Sequence, residues 1–126
     1  MRVLLDTQVL LWALTGHARL PSSVRVLLSS GEAESSFSLV SIWEIAIKRS
    51  LGKLGFDADL IAETAEADGF ACLPIRRPHL SAVQALPWHH RDPFDRLLVA
   101  QSLSEPMLLL TTDEALVDYG PSVRLL

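Results

Sequence analysis

The sequence predicts an α/β fold in which helices cover both faces of a parallel sheet. Two observations indicate this architecture. Short, almost continuously apolar runs alternate with segments of helical periodicity along most of the 126 residues. Strands that are apolar on both sides are typical of parallel sheets buried between helices. The length is that of one hydrophobic core, so we expect residues 1–126 to form one domain.

The first half of the chain predicts two strands and four helices. Residues 2–5 form an apolar run that predicts a strand, and Gly16 ends the helix that follows over 8–14. Pro21 suits the first turn of a second helix, which Gly31 stops. The remaining elements are a strand over 35–40, a helix from Ser41 with apolar residues at helical spacing to Leu54, and an acidic amphipathic helix over 57–68.

The second half continues the alternation of strands and helices. A strand over 70–74 precedes a helix over 77–86, and a loop over 87–91 leads to the next helix. Asp92 and Pro93 open that helix, which runs to Leu103. The remaining elements are a continuously apolar strand over 107–111, a short helix over 113–119 and a last strand over 123–126.

Composition narrows the class of protein. No apolar run approaches the roughly 20 residues that cross a bilayer, and the acid at position 6 interrupts what would be the apolar core of a secretory signal. Cys72 is the one cysteine, so no internal disulfide forms, which fits a reducing cytoplasm. Because Cys72 lies within an apolar run, we expect its thiol to be buried. The net charge of −4 argues against nucleic-acid binding by overall charge, so such binding would need basic patches, bound cations or a basic partner.

Acidic residues lie at or near the predicted strand–helix junctions, where open α/β sheets bind their ligands. Asp6 directly follows the first strand, and Asp113 ends the strand near the C-terminus. Glu44 and Asp95 each fall in the predicted first turn of a helix. If these four carboxylates converge, they repel one another unless divalent cations lie among them. Oxygen ligands without a His or Cys cluster favour Mg²⁺ or Mn²⁺, and such a site supports metal-assisted phosphodiester hydrolysis.

Most of these acids also have a structural explanation. The run Ser41-Ile42-Trp43-Glu44 has the pattern of a capping box, in which Glu44 would reach back to a free backbone N–H. Asp92 and Asp95 stand in a similar relation, and we interpret Asp92 as a helix cap. Asp113 suits the N-cap of the last helix. Asp6 has the weakest structural explanation, because an acid that follows a buried strand needs a cationic partner.

Four segments together resemble the PIN domain family and, within it, the VapC-like toxins of bacterial toxin–antitoxin pairs. The segments are residues 3–12 (VLLDTQVLLW), 40–45 (VSIWEI), 91–101 (RDPFDRLLVAQ) and 110–113 (LTTD). The resemblance implies a compact α/β/α sandwich with four or five parallel strands. It also implies a ribonuclease site that uses Mg²⁺ or Mn²⁺, with Asp6 and Asp95 as the principal ligands and Glu44 and Asp113 as the remaining acids. Gln8 departs from the family pattern, since close relatives often have His there.

The resemblance also implies partners. Toxins of this kind usually cut RNA, often tRNA or rRNA, are held inactive by a small antitoxin, and usually form homodimers. Arg91 and Arg96 flank the start of the Asp95 helix and are candidates either for contacts to RNA phosphates or for ion pairs with neighbouring acids. Trp88, in the preceding loop, is a candidate for stacking on a base.

The other polar residues near these acids are expected to have structural roles. His89 and His90 are adjacent in a loop, and adjacent side chains rarely point the same way, so we do not expect them to bind a metal ion together. Lys48 is expected on the solvated face of its helix.

Two other functions remain open on the sequence alone. A phosphoaspartyl hydrolase would use Asp6 as its nucleophile, although that class normally has a second Asp where Gln8 stands. A non-catalytic α/β module would bind a protein through its apolar surface, and its acids would serve only as helix caps. The absence of a Gly-rich phosphate loop argues against nucleotide binding.

Overall fold

The computed structural model describes all residues 1–126 and contains a five-stranded sheet. Each strand pairs with its neighbours in the parallel direction, in the order β3-β2-β1-β4-β5. The strands are β1 (Arg2–Leu5), β2 (Glu34–Ser38), β3 (Ala71–Leu73), β4 (Leu108–Thr111) and β5 (Val123–Leu125). The predicted parallel sheet is therefore confirmed, with five strands.

Helices lie on both faces of this sheet. They are α1 (Thr7–Thr15), α2 (Ser22–Ser29), α3 (Leu39–Ser50), α4 (Ala58–Ala67), α5 (Arg77–Ala85), α6 (Pro93–Ser104) and a 3₁₀ helix, η1 (Glu114–Tyr119). No helix combines the length and the apolar character that spanning a membrane requires.

The apolar strands are explained by two separate hydrophobic clusters. In β1, Val3 and Leu5 belong to one cluster, together with buried residues of α1, α2 and α4. Leu4 points the other way and packs in the second cluster, to which α6 contributes Leu97, Leu98, Val99 and Ala100. Since alternate side chains of a strand face opposite sides of the sheet and both sides of β1 are covered, the consecutive residues Val3, Leu4 and Leu5 are all apolar.

The strand order places a topological switch point at the centre of the sheet. From β1 the chain adds β2 and β3 on one side, and it then returns to add β4 and β5 on the other. The carboxyl ends of β1 and β4 are adjacent, with Leu5 opposite Leu110 and the Asp6 backbone N–H donating to the Leu110 carbonyl at 3.0 Å. Ligands of open α/β sheets bind at such a point.

The start of α3 differs from the prediction. The helix begins at Leu39, because the Ser38 hydroxyl caps it by accepting a hydrogen bond from the Val40 backbone N–H at 3.0 Å. Ser41 therefore lies inside the helix, and Glu44 lies in its second turn. The capping-box interpretation of Ser41 and Glu44 is wrong, so Glu44 is left without a structural role as a cap.

Cys72 also differs from its predicted place. The thiol is exposed, whereas the sequence analysis expected it to be buried. Cys72 belongs to β3, which is an edge strand of only three residues, and Leu73 is the one residue of that strand that is buried.

Candidate metal centre

The structure brings all four predicted acids into one cleft at the carboxyl ends of β1 and β4. The cleft has a volume of about 230 Å³. Its lining is mostly polar and comprises Asp6, Thr7, Gln8, Leu11, Glu44, Lys48, Leu54, Asp92, Asp95, Thr112 and Asp113. The cleft therefore contains five carboxylates and one lysine.

Asp6 lies at the floor of the cleft, and its carboxylate is held from two directions. Oδ1 accepts a hydrogen bond from the Val9 backbone N–H at 2.8 Å, and Oδ2 accepts one from the Thr111 hydroxyl at 2.6 Å. Asp6 is thus also the N-cap of α1, a structural role that the sequence analysis did not assign to it. Burial raises the pKa of Asp6 above its ordinary value, although the hydrogen bonds from Thr111 and Val9 oppose that shift.

Glu44 reaches the cleft from α3 and is buried. Its Oε1 accepts a 2.7 Å hydrogen bond from the Thr7 hydroxyl, and its Oε2 lies 2.6 Å from the Lys48 ammonium. The hydrogen bond to Glu44 raises the pKa of Lys48 above its ordinary value. Lys48, which was expected on the solvated face of α3, instead lines the cleft and supplies its one ammonium group.

Asp95 differs from the other acids because no hydrogen bond in the structure ends on its carboxylate. Its backbone N–H donates to the Asp92 carboxylate at 3.1 Å, and the nearest ion-pair contact of its own carboxylate is His90 Nε2 at 3.6 Å. Burial, together with the negative charges of Asp92, Asp6 and Glu44, raises the pKa of Asp95 to about 7. The carboxylate therefore lacks the positive partner that its charged form requires.

Asp92 has the capping role that the sequence suggested. Its Oδ1 accepts hydrogen bonds from the backbone N–H groups of Phe94 and Asp95 at the start of α6. The reciprocal half of a capping box is missing, because the Asp92 backbone N–H donates to His90 Nδ1 instead of to Asp95. Asp95 is therefore free of a capping role.

Asp113 combines a cap with a contact that the sequence analysis missed. Its Oδ1 accepts from the Ala115 backbone N–H at 3.0 Å at the start of η1, and its Oδ2 lies 2.8 Å from His90 Nε2. The two loop histidines point apart, as expected, since the His89 ring packs edge-on against Tyr119. The available signal was that His90 lies two residues before Asp92, where its ring can accept the Asp92 backbone N–H and so lie beside the acids.

The three candidate RNA contacts divide into two kinds. Arg91 and Trp88 are exposed, and Trp88 retains 76% of its surface. Arg96 retains only 5%, and its guanidinium donates to the carbonyl of Pro87 at 2.8 Å and to the hydroxyl of Tyr119 at 3.0 Å. Arg96 also makes no ion pair with a neighbouring acid, so the structure fits neither role that the sequence analysis considered for it.

The residues of the cleft fit a divalent cation. Oxygen donors from Asp6, Glu44, Asp95 and Asp113 are the ligands that Mg²⁺ and Mn²⁺ prefer. Lys48 compensates only Glu44 by direct contact, which leaves the Asp95 charge unbalanced. A bound cation would supply that charge, and it would favour the ionised form of Asp95.

The fold and the cleft together define a class: α/β proteins with a carboxylate cluster at the switch point of a parallel sheet. Residues 3–120 match the PIN domain family. This chain belongs to the PIN domain family. No curated protein matches the sequence closely.

Solved structures share this fold at low sequence identity. The VapBC2 structure from Rickettsia felis, bound to a DNA fragment from its promoter, is similar with a TM-score of 0.71 and 14% identity over 99% of this chain and 97% of that one. FitAcB from Neisseria gonorrhoeae has a TM-score of 0.66 and 17% identity, covering 96% and 95%. VapBC-5 from Mycobacterium tuberculosis, a member of the VapBC family of toxin–antitoxin systems, has a TM-score of 0.62 and 19% identity, covering 98% and 96%.

Proposed function

We propose that this protein is a VapC-like endoribonuclease that depends on Mg²⁺ or Mn²⁺ and forms one PIN-like domain over residues 1–126. The observation that carries the proposal is the Asp95 carboxylate. It lies within a cleft of like charges, accepts no hydrogen bond, and its pKa is raised to about 7. A cap or a structural ion pair would provide the partner that this carboxylate lacks, and a divalent cation would provide it only when bound.

The acids have unequal roles in this proposal. Asp6 and Asp95 are the principal metal ligands, and Glu44 and Asp113 support the site directly or through water. A bound divalent ion supplies an activated water and stabilises charge on the phosphodiester oxygens. The hydroxyls of Thr111 and Thr7 hold the carboxylates of Asp6 and Glu44 in place.

RNA binding must overcome the net charge of −4. Arg91 is exposed and directly precedes Asp92, which lines the cleft, and its guanidinium is suited to a bidentate contact with a phosphate. Trp88 lies with one face over the Arg96 guanidinium, at 3.7 Å from the ring centroid, and is otherwise exposed. Its free face is available to stack on an unpaired base.

Partners form the second part of the proposal. The similar structures are described as toxin–antitoxin complexes, which supports a small antitoxin as the regulator of this chain. We also infer a homodimer and a cytoplasmic location. Large apolar side chains lie exposed at several places on the surface, as expected for a protein that partners cover. They include Val26, Trp43, Leu51, Leu60 and Leu80.

The two alternatives are less well supported. A non-catalytic module explains Asp6, Asp92 and Asp113 as caps and Glu44 as the ion-pair partner of Lys48, but it does not explain why the Asp95 carboxylate accepts no hydrogen bond. A phosphoaspartyl hydrolase needs Asp6 as an accessible nucleophile, whereas Asp6 retains only 4% of its surface and both of its oxygens accept hydrogen bonds.

The direct test is cleavage of mixed RNA by the purified protein with Mg²⁺ or Mn²⁺, with and without EDTA. Removal of a group that only supports a metal ligand lowers activity roughly 10–100-fold. We expect Asp95→Asn to lower the RNA-cleavage activity by more than that, because Asp95 is a proposed metal ligand. Asp59→Asn, on the exposed surface of α4, is the matched control and should retain full activity. A folded wild-type protein that cuts no RNA with either metal would contradict the proposal.

A further inference from the structure

The loop over residues 87–91 is held by a buried arginine on the helix that follows it. Besides its bonds to the Pro87 carbonyl and the Tyr119 hydroxyl, the Arg96 guanidinium lies against the Trp88 ring and within 3.4 Å of the Leu86 carbonyl. Tyr119 reinforces the same point, because its hydroxyl donates to the Pro87 carbonyl at 2.9 Å.

This arrangement couples the loop to Arg96 energetically. A buried guanidinium is costly unless its N–H groups are paired, and Arg96 has no carboxylate partner. Its partners are instead carbonyls around the start of the loop, the Tyr119 hydroxyl and the Trp88 ring. If the loop moved away, the buried guanidinium would lose the Pro87 carbonyl and the Trp88 ring, so Arg96 stabilises the observed position of the loop.

His90 is the residue of this loop that contacts acids of the cleft. Its backbone N–H donates to the Tyr119 hydroxyl at 3.2 Å, and its Nδ1 accepts from the Asp92 backbone N–H at 2.9 Å. Its Nε2 lies 2.8 Å from Asp113 Oδ2 and 3.6 Å from Asp95 Oδ2. Every polar atom of the ring is therefore engaged.

The partners of the ring determine which nitrogen carries the hydrogen. A backbone N–H can only donate, so Nδ1, which receives the Asp92 N–H, must be the acceptor. The neutral ring then carries its hydrogen on Nε2, and Nε2 donates to Asp113. A nitrogen that carries a hydrogen has no lone pair to offer a metal ion.

We propose that His90 is a positioning residue that orients Asp113 as a fixed N–H donor, and that it is not a metal ligand. The alternative is a three-ligand site, because ligand atoms of His90, Asp95 and Asp113 all lie within 4.8 Å of one another. The inference rests on the proposed function, since the site that His90 serves is the proposed metal centre. Asp113 Oδ1 accepts a hydrogen bond from the Ala115 backbone N–H and Oδ2 lies against His90 Nε2, so these two neighbours fix the orientation of the carboxylate, and each oxygen keeps a lone pair for a metal ion or a bound water.

The first test is the nitrogen spectrum of the histidine rings in ¹⁵N-labelled protein, with EDTA and then with saturating Mg²⁺. The chain has four histidines, and His90→Gln identifies the His90 signals. We expect the pattern of a ring with its hydrogen on Nε2 in both conditions. A switch of the hydrogen to Nδ1 when Mg²⁺ is added would overturn the proposal, because it would show Nε2 bound to the metal.

The second test compares His90→Leu with His90→Gln, whose amide can still donate to Asp113. We expect His90→Leu to lower kcat about 10–100-fold with little change in KM or in Mn²⁺ affinity, and His90→Gln to recover part of that loss. Loss of Mn²⁺ affinity in both variants would overturn the proposal. His89→Leu, in the same loop but turned away from the acids, is the matched control, and urea unfolding shows whether each variant folds.

The proposed nuclease activity and the positioning role of His90 can be disproved separately. If the wild-type protein cuts no RNA, the proposed function fails, and the ring spectrum and the Mn²⁺ affinities still decide whether His90 donates or ligates. If RNA is cut and the hydrogen leaves Nε2 when Mg²⁺ binds, the nuclease stands and the positioning role fails.

Discussion

The Thr111 hydroxyl donates a 2.6 Å hydrogen bond to Asp6 Oδ2 and joins the ends of the two central strands, β4 and β1. The same hydroxyl accepts from the Asp113 backbone N–H at 3.0 Å. One buried side chain therefore sets the relative positions of two acids that lie about a hundred residues apart in the sequence.

We predict that Thr111→Val weakens both the fold and the site. The substitution keeps the shape but leaves an oxygen of the buried Asp6 carboxylate without its donor, which lowers the free energy of unfolding by about 1–3 kcal/mol. It also removes a hydrogen bond that opposes the raised pKa of Asp6, so that pKa should rise further. Urea unfolding measures the first effect. Thr111→Ser, which keeps the hydroxyl, should resemble the wild type, and equal stability of the Val and Ser variants would contradict the assignment.

Stability of the metal-free protein should fall as the pH rises. The pKa of Asp95 is about 7 in the folded protein against an ordinary 3.8, so the native state binds more protons than the unfolded state between these values. The free energy of unfolding therefore decreases through that range, by a contribution on the order of 4 kcal/mol from this group. In EDTA at pH 8, Asp95→Asn should be more stable than the wild type.

Urea unfolding of both proteins across this pH range, in EDTA, measures the difference. The stability advantage of Asp95→Asn should disappear near pH 4, and saturating Mn²⁺ should reverse it at pH 8 because the wild type binds the ion. If the free energies of unfolding of the two proteins changed in parallel with pH, ionisation of Asp95 would not destabilise the fold, which would contradict the prediction.

Lys48 should compete electrostatically with a divalent cation. Its ammonium contacts Glu44 Oε2 at 2.6 Å within the cleft. We expect Lys48→Met to raise Mn²⁺ affinity about 3–10-fold at low ionic strength, with the gain shrinking as salt is added. Lys53→Met, beyond the end of α3, is the control. A calorimetric titration that shows equal affinities for the Lys48 variant and the wild type would count against this role.

Gln101 should matter for stability although it lies outside the cleft. It is fully buried on α6; its Oε1 accepts from the Ser38 hydroxyl, and its Nε2 donates to the Pro74 carbonyl at 3.2 Å. Gln101→Leu leaves these partners unpaired, so we expect the free energy of unfolding to fall by about 2–4 kcal/mol. Gln84→Leu, exposed on α5, should change it little. Similar urea midpoints for the two variants would refute the prediction.

The fold could be predicted because the physical cause of the pattern is local. Strands whose two faces pack in apolar clusters have consecutive apolar residues, and β1 and β4 show this pattern. The start of α3 could not be predicted in the same way, because Leu39 and Val40 follow β2 directly and are apolar residues that suit either the end of a buried strand or the start of a helix. Both Ser38 and Ser41 can cap a helix, and only tertiary packing selects Ser38.

The sequence predicted the acids of the site, but it did not predict the residues that hold the surrounding loop and the acids in place. Arg96 is buried because carbonyls at the end of α5 and at the start of the following loop accept hydrogen bonds from its guanidinium, and no sequence pattern predicts those partners. His90 faces the acids because Tyr119 and Asp92 hold its backbone and its ring. Cys72 is exposed because β3 is an edge strand, and strand order does not follow from the sequence of the strand itself.

The most direct test of the central claim is a calorimetric titration of the protein with Mn²⁺ at pH 7, in buffers of different ionisation enthalpy. Asp95, with a pKa of about 7, is half protonated there, and a bound metal needs the carboxylate. We predict saturable binding that releases about half a proton from Asp95, and loss of both the binding and the release in Asp95→Asn. Absence of binding by the folded wild-type protein, or binding that Asp95→Asn leaves unchanged, would contradict the claim that these acids form a metal centre.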